Sequence, residues 1–390
     1  MKSKMKIALY AGTAMLAAAL LPGAAQAQGT VKVGIISAYS GQFADTATQI
    51  DNGIKLYMKQ HGDTVAGKKI EIIRKDTGGP NPDVAKRLAQ ELVVRDQADI
   101  LAGFTLTPEA LGAASVSEEA KKLMVVMNAA TGIITSRSPY IVRTSFTVGQ
   151  VADTLGKWAA AKGGAKKVYT MVSDFGPGLD AEKFFQNAFK SAGGEVAGSV
   201  RMPVANPDFS AFVQRAKDLN PESIFVFVPG GAQPAALGKA FSERGMDPKK
   251  INIMSTGEPV DETAVKALGD LALGRISGWH YDYNLKNKAN AEFVKAFNAE
   301  FKRNPDFFAV GGYDGMHLIY EALKKSGGKA DGDSLLAAAK DLKWDSPRGP
   351  VSIDPATREM IQNIYIRRVE KVGNEIVNVE FDKVENVKGM

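Results

Sequence analysis

Residues 100–131 read ILAGFTLTPEALGAASVSEEAKKLMVVMNAAT, and their order of strand, turn, helix, strand and turn decides the fold. The apolar run 100–102 stops at Gly103. Thr107 is a good helix cap, and Pro108 suits a first helical position, where no N–H is required. A helix over 108–122 leaves unpaired N–H groups at its start, and these attract an anion together with the helix dipole. The run 123–127 is continuously apolar, as expected of a strand covered on both faces. It ends in Asn128, Ala129, Ala130 and Thr131, small residues that bring amide and hydroxyl groups. Two adjacent strand ends would then surround one crevice with polar groups. Open α/β sheets bind ligands at the carboxyl ends of their strands.

The same grammar extends in both directions. Upstream, a strand over 31–38 precedes a helix over 45–60, and a strand over 69–74 ends at Asp76. The loop TGGPNP follows, and Pro82 opens a helix to about 95. Downstream, a short strand over 141–144 precedes helices over 148–162, 179–192, 208–219 and 232–244. These alternate with strands over 167–173, 195–203, 223–228 and 251–255. Such alternation implies parallel sheets covered by helices on both faces, with right-handed crossovers. Ten or so units exceed one compact core, so the fold class is α/β with two doubly wound lobes. The switches fall near 144–148 and near 278–283, where Trp279, Tyr281 and Tyr283 crowd one connection. Helices over 289–303, 308–325 and 334–340 follow, and 361–368 and 375–382 read as a hairpin through Gly373.

The start of the chain has the form of an export signal. Lys2, Lys4 and Lys6 precede an apolar run over 7–21, and Ala25-Gln26-Ala27 is a cleavage site that makes Gln28 the first mature residue. The expected location is outside the cytoplasm. The three lysines account for half of the formal charge of +6, and the remainder is too small to argue for nucleic acid. With no cysteine, disulfides, thiolate metal sites and cysteine nucleophiles are excluded.

The order and spacing of several pieces carry a resemblance. They are SAYSGQFAD (37–45), Asp76 with PNPDVAKRLAQEL, AGFTLTPEALGAAS, VVMNAAT, YIVRT, VSDFGPGLDAEKFF, VFVPGG, INIMSTGE and VGGYDGMHLIYEAL. Together they resemble the branched-chain-amino-acid type of periplasmic solute-binding protein that feeds ABC importers. The resemblance implies two lobes joined by three crossings, with residues 28–145 and 279–348 in one lobe and 146–278 and 349–390 in the other. It implies a monomer in the periplasm that captures an amino acid or related carboxylate and hands it to a membrane permease. A sensing subunit that reports to a receptor is the alternative on the same fold. Where amino-acid binders carry a serine-rich turn, this chain has Phe104-Thr105-Leu106-Thr107, and Phe175 stands where tyrosine is frequent. An apolar Leu106, with Tyr39, Phe104 and Phe175 nearby, implies a larger or aromatic carboxylate.

The expected carboxylate cradle is the start of helix 108–122 with the turn 129–131. Backbone N–H groups and the Thr107 and Thr131 hydroxyls would supply its donors. Gly176 to Gly178 form a turn that lines the rim of the second lobe with N–H groups. GPGLDA also fits a dinucleotide fingerprint nominally, but the acidic residue it needs about 20 positions on is absent. Glu258 follows a strand end and reads equally as a counter-charge for a ligand ammonium or as an acid at a helix start. Tyr313 and Asp314 fall at the start of a helix facing the cleft, or are a packed tyrosine and a first-turn carboxylate. Arg143 reads as a structural ion-pair partner. The histidines, His61, His280 and His317, have no metal-binding spacing, and no G-x-S-x-G or P-loop occurs. No cofactor, metal or enzymatic activity is expected, and any transport energy must come from a partner.

Overall fold

Seen in a computed structural model that describes residues 29–205, 207–248 and 250–390, the chain forms two sheets with a cleft between their carboxyl ends. The expected export signal and Gln28 lie outside the described residues. The first sheet contains β1 (Thr30–Ser37), β2 (Thr64–Val65), β3 (Lys68–Asp76), β4 (Ile100–Gly103), β5 (Leu123–Val126) and β6 (Ile141–Arg143) in the order β2-β3-β1-β4-β5-β6. All its pairings are parallel except β2 with β3. Helices α1 (Ala44–His61), α2 (Pro82–Val94) and α3 (Thr107–Glu119) connect these strands. Every residue of β4 and β5 is buried, which accounts for their unbroken apolar character.

The chain then enters the second sheet. Helix α4 (Val148–Ala161) leads to β7 (Lys167–Ser173), α5 (Gly176–Ser191), β8 (Glu195–Met202) and α6 (Phe209–Asp218). These are followed by β9 (Ser223–Phe227), α7 (Gln233–Glu243), β10 (Asn252–Ser255), α8 (Glu262–Leu268) and β11 (Ile276–Trp279). It returns through α9 (Lys288–Phe301), α10 (Phe307–Lys325) and α11 (Gly332–Ala339), which pack over the first sheet against α1 and β5. The third crossing runs through β12 (Lys343–Ser346), which packs on α9, and the turn into β13 (Gly349–Ile353); β14 (Met360–Val372) and β15 (Glu375–Val387) then complete the second sheet. Its order is β12-β13-β14-β11-β10-β9-β7-β8, with β15 paired to β14. Strands β7 to β11 are parallel, and β12 to β15 add an antiparallel flank. The expected α/β architecture of two lobes joined by three crossings is the one observed.

The crossings pack into one polar knot. Arg348 Nη1 donates to the Ser145 carbonyl at 3.1 Å, and Gln362 Nε2 donates to the same oxygen at 2.9 Å. The buried His280 ring stacks on Phe146 with centroids 4.6 Å apart. Arg348 also pairs with Asp314 at 2.8 Å, which ties α10 to the third crossing.

Two of the helix starts that differ from expectation bear on the cleft. α5 begins at Gly176, three residues before the expected 179, because Pro177 is comfortable in a first turn and the extended Phe175 caps the helix. α3 begins at Thr107 with Leu106 as its cap, so Thr107 is the first helical residue and not the cap. Leu106 has no side-chain acceptor. Its N–H instead donates to Glu109 Oε2 at 2.9 Å, while Glu109 Oε1 accepts from the Thr77 hydroxyl at 2.6 Å. Burial pushes this carboxyl up to about 7.

Candidate functional site

A cavity lies between the two sheets, with about 410 Å³ of space not filled by protein atoms, part of it open to solvent. In each sheet it opens where neighbouring strands run their connections to opposite faces. These are the β1–β4 boundary in the first sheet and the β7–β9 boundary in the second. The first lobe contributes Phe43 and Thr46 after β1, Thr105, Leu106 and Thr107 after β4, and Asn128, Ala129 and Ala130 after β5. It also contributes Phe308 from the start of α10. The second lobe contributes Phe175 and Pro177 after β7, Phe227 at the end of β9, Pro229 and Gly230 after it, and Glu258 after β10; Phe146 closes the hinge side. Five phenylalanines thus surround the space, and among the described residues no lysine or arginine lines it. Phe175 and Phe227 pack at a centroid distance of 6.1 Å.

The approach of the first lobe depends on an unusual corner. Gly103 and Phe104 both adopt positive φ, +101° and +66°. For a phenylalanine this is a strained conformation, worth about 1–3 kcal/mol. It is held because the Phe104 ring is fully buried, its N–H donates to the Ile36 carbonyl at 2.6 Å and its carbonyl accepts from Ala129 N–H at 2.9 Å. The corner sends Thr105–Thr107 into the cleft and leaves the ring behind. Among the described residues the Thr107 N–H, at the start of α3, has no protein acceptor. The Ala129 N–H is not open to a ligand, contrary to expectation, because it is committed to Phe104.

Two polar groups in the cavity are left without partners. Asn128 donates its Nδ2 to the Thr105 carbonyl at 2.6 Å and keeps a buried Oδ1 without a partner. Glu258 opens a single 3-10 turn, Glu258–Val260, is buried, and has no partner for Oε2. Burial pushes its carboxyl up to about 8. The nearby buried cation, Arg367, is held by Asp282 at 2.9 Å and by Ser277 Oγ. An unsatisfied buried polar atom costs about 1–3 kcal/mol, so both atoms call for a ligand or water that can donate a proton.

The lobes touch across the cavity. Gly132 N–H of the first lobe donates to Asp180 Oδ2 of the second at 3.0 Å. A methyl group on Gly176 would lie 2.8 Å from Thr131 Oγ1, and one on Gly231 would lie 2.9 Å from the Gln42 carbonyl. This is a closed conformation.

Of the residues singled out in the sequence, Leu106, Thr107, Asn128, Ala129, Phe175 and Glu258 line the cavity. Thr131 stands one layer behind, its hydroxyl 3.0 Å from that of Thr107. Gly178 sits inside the first turn of α5 against the Ser173 carbonyl, where even a methyl group would collide. Tyr39 lies beside Asp51, Arg74 and Asp76, away from the cavity, and Phe104 is in the core. Tyr313 and Asp314 are in the second turn of α10, not at its start. Tyr313 packs on Tyr57 and Phe293 and donates to Gln60, while Asp314 accepts from Trp344 Nε1 and Ser346 Oγ beside its Arg348 pair. Arg143 is a structural ion-pair partner, fully buried and 2.9 Å from Glu359. Sequence reading missed Phe43, Phe146, Phe227 and Phe308. Phe227 ends β9 and Phe43 comes after β1, both strands at the switch points, a signal that was available; Phe146 and Phe308 reach the site only through tertiary packing. Among the described residues no acid or histidine cluster could hold a metal, and no helix is long and apolar enough to cross a membrane.

Comparison with known proteins agrees with this geometry. Residues 30–374 match the periplasmic binding protein family. The chain is 42% identical over 369 residues to Leu/Ile/Val-binding protein homolog 6 of Brucella melitensis, covering 94% of this chain and 93% of that one. It is 54% identical to a solute-binding protein of an ABC transporter from Rhodopseudomonas palustris BisB5 solved with 3,4-dihydroxybenzoic acid. The TM-score is 0.89, over 92% of this chain and 98% of that one. A second R. palustris solute-binding protein, solved with 4-hydroxybenzoate, is 40% identical with the same TM-score of 0.89 over 92% and 98% of the two chains. A cavity between two α/β lobes that touch across it, and a family match over nearly the whole chain, lead to one assignment: the chain belongs to the periplasmic binding protein family, as the solute-binding component of an ABC importer.

Proposed function

We propose that the solute is an aromatic carboxylate of the hydroxybenzoate kind, bound between the lobes and delivered unchanged to an inner-membrane permease. The observation that carries this reading is the ring of five phenylalanines around the cavity, which suits a flat ring stacked or met edge-on. The free N–H at the start of α3 and the Thr107 hydroxyl are the donors for the carboxylate, in a position that the helix dipole favours. Thr131 steadies that hydroxyl from behind. The two R. palustris proteins solved with hydroxylated benzoic acids support the choice over an aliphatic amino acid. In this reading the mature protein starts at Gln28, acts as a periplasmic monomer and has no enzymatic activity. Residues 28–145 and 279–348 form the first lobe, and 146–278 and 349–390 the second.

A thermal-shift series followed by calorimetry tests the reading. 4-Hydroxybenzoate and 3,4-dihydroxybenzoate should raise the melting temperature, because a ligand stabilises the folded state it binds. They should be recovered chemically intact in a stoichiometric complex. Leucine or isoleucine binding more tightly than either acid would overturn the aromatic reading, and turnover of the ligand would overturn a purely binding role.

A further inference from the structure

We propose that the Glu258 carboxyl is the specificity-determining group that distinguishes ring-hydroxylated aromatic acids from unsubstituted ones, by hydrogen bonding to the ring hydroxyl. This rests on the aromatic-acid reading above and names what that reading leaves open, the group that reads the ring substituent.

The placement comes first. The carboxylate donors are at the start of α3 in the first lobe, whereas Glu258 is in the second lobe, after β10. A ligand that spans the cleft with its carboxylate on the first lobe therefore presents the rest of its ring to the second lobe. There the cavity wall is Phe175, Pro177, Phe227, Pro229, Gly230 and Glu258. Glu258 is the one of these six with a polar side chain, and its Oε2 has no protein partner. An unsubstituted ring would leave that atom buried and unsatisfied, whereas a ring hydroxyl would satisfy it.

The charge state follows from the neighbours. The charge of Arg367 favours an ionised Glu258, but Arg367 pairs with Asp282 and bonds to Ser277 Oγ and the Tyr281 carbonyl. Asp261 lies on the same connection and opposes a second negative charge. With no lysine or arginine among the described residues that line the cavity, burial favours the protonated form of Glu258, against the pull of the Thr256 hydroxyl beside it. A neutral carboxyl can donate to a phenol oxygen or accept from a phenol O–H, and it does not repel the ligand's own carboxylate. An ionised Glu258 would suit an ammonium group instead, so the protonation state is also what separates a hydroxylated acid from an amino acid. A site built to bond a hydroxyl rejects the analogue that lacks it far more strongly than an apolar wall rejects an added group.

Calorimetry on the full mature protein tests this with benzoate, 4-hydroxybenzoate and 3,4-dihydroxybenzoate as probes. The wild-type protein should bind the better hydroxylated acid about tenfold or more tighter than benzoate, the equivalent of one hydrogen bond kept or lost. In Glu258→Leu that ratio should fall to near one, chiefly through weaker binding of the hydroxylated acid. Glu258→Gln, which keeps a donor and an acceptor, should retain a preference between the two. Because the readout is a ratio within each protein, a reduced folded fraction in one variant cancels. A Glu258→Leu protein that keeps the wild-type preference overturns this inference alone. A wild-type protein that binds none of the three acids overturns the aromatic reading and this inference with it.

Discussion

Asp314 shows how one carboxylate reads differently in a sequence and in a fold. In GGYDGMHLIYEAL it stands near a helix start and looks free to meet a ligand. In the folded chain it is fully buried and bonded to Trp344 Nε1, Ser346 Oγ and the Arg348 guanidinium. Arg348 is itself fully buried, and burial pulls it down from its ordinary range while the pairing with Asp314 opposes that shift. Asp314→Ala should therefore destabilise the protein by about 3–5 kcal/mol, because it leaves an unpaired buried cation. Urea unfolding monitored by circular dichroism checks this. Phe104 illustrates the same point from the opposite side. Its place in the chain is beside the site, but its positive φ turns the ring into the core and gives the cavity to Leu106 and Thr107.

Among the elements, α5 is the one whose position matters most for closure. Its first residue, Gly176, faces Thr131 and Thr107 across the cleft and is not in the left-handed region. An alanine there meets no backbone strain and adds a methyl group only at the contact between lobes. Gly176→Ala should leave urea stability within about 0.5 kcal/mol of wild type, the range for surface changes away from special features. It should weaken ligand binding, and small-angle scattering with 4-hydroxybenzoate present should show a less compact particle than wild type. The elements were largely legible in the sequence because their signals are local. The continuous apolar runs gave β4, β5 and β9, and the Asn81-Pro82 pair gave the start of α2. The start of α5 was misread because Gly176-Pro177-Gly178 looks like a turn when its packing is not known. The site was legible in half of its wall. Residues directly after strands, such as Asn128, Phe175 and Glu258, follow from the parallel topology. Phe308 arrives from a helix far along the chain and Phe146 from a crossing, and nothing in their local sequence marks them for the cavity.

At the scale of the molecule, buried acids of the two lobes face one another. Asp306 of the first lobe is pushed up to about 6, Asp261 of the second to about 7 and Glu258 to about 8, each chiefly by burial. Asp261 also feels the negative charges of Asp306 and Asp45 across the cleft. The repulsion of Asp261 by Asp306 and Asp45 exists only while the lobes are together, so a proton on Asp261 is held more firmly in the closed form than in the open one. The closed form is therefore favoured at lower pH, and its advantage declines as pH rises through 6 to 8. Affinity for 4-hydroxybenzoate should fall over that window. Binding should take up protons, so calorimetric enthalpies should vary with the ionisation enthalpy of the buffer. The contact between Gly132 and Asp180 has another consequence, for timing. A solute enclosed by both lobes has no exit of its own, so none can escape faster than the lobes part. The frequency of that parting is a property of the hinge and of the Asp180 latch, and it sets a single upper limit on the handover rate for every cargo that fits.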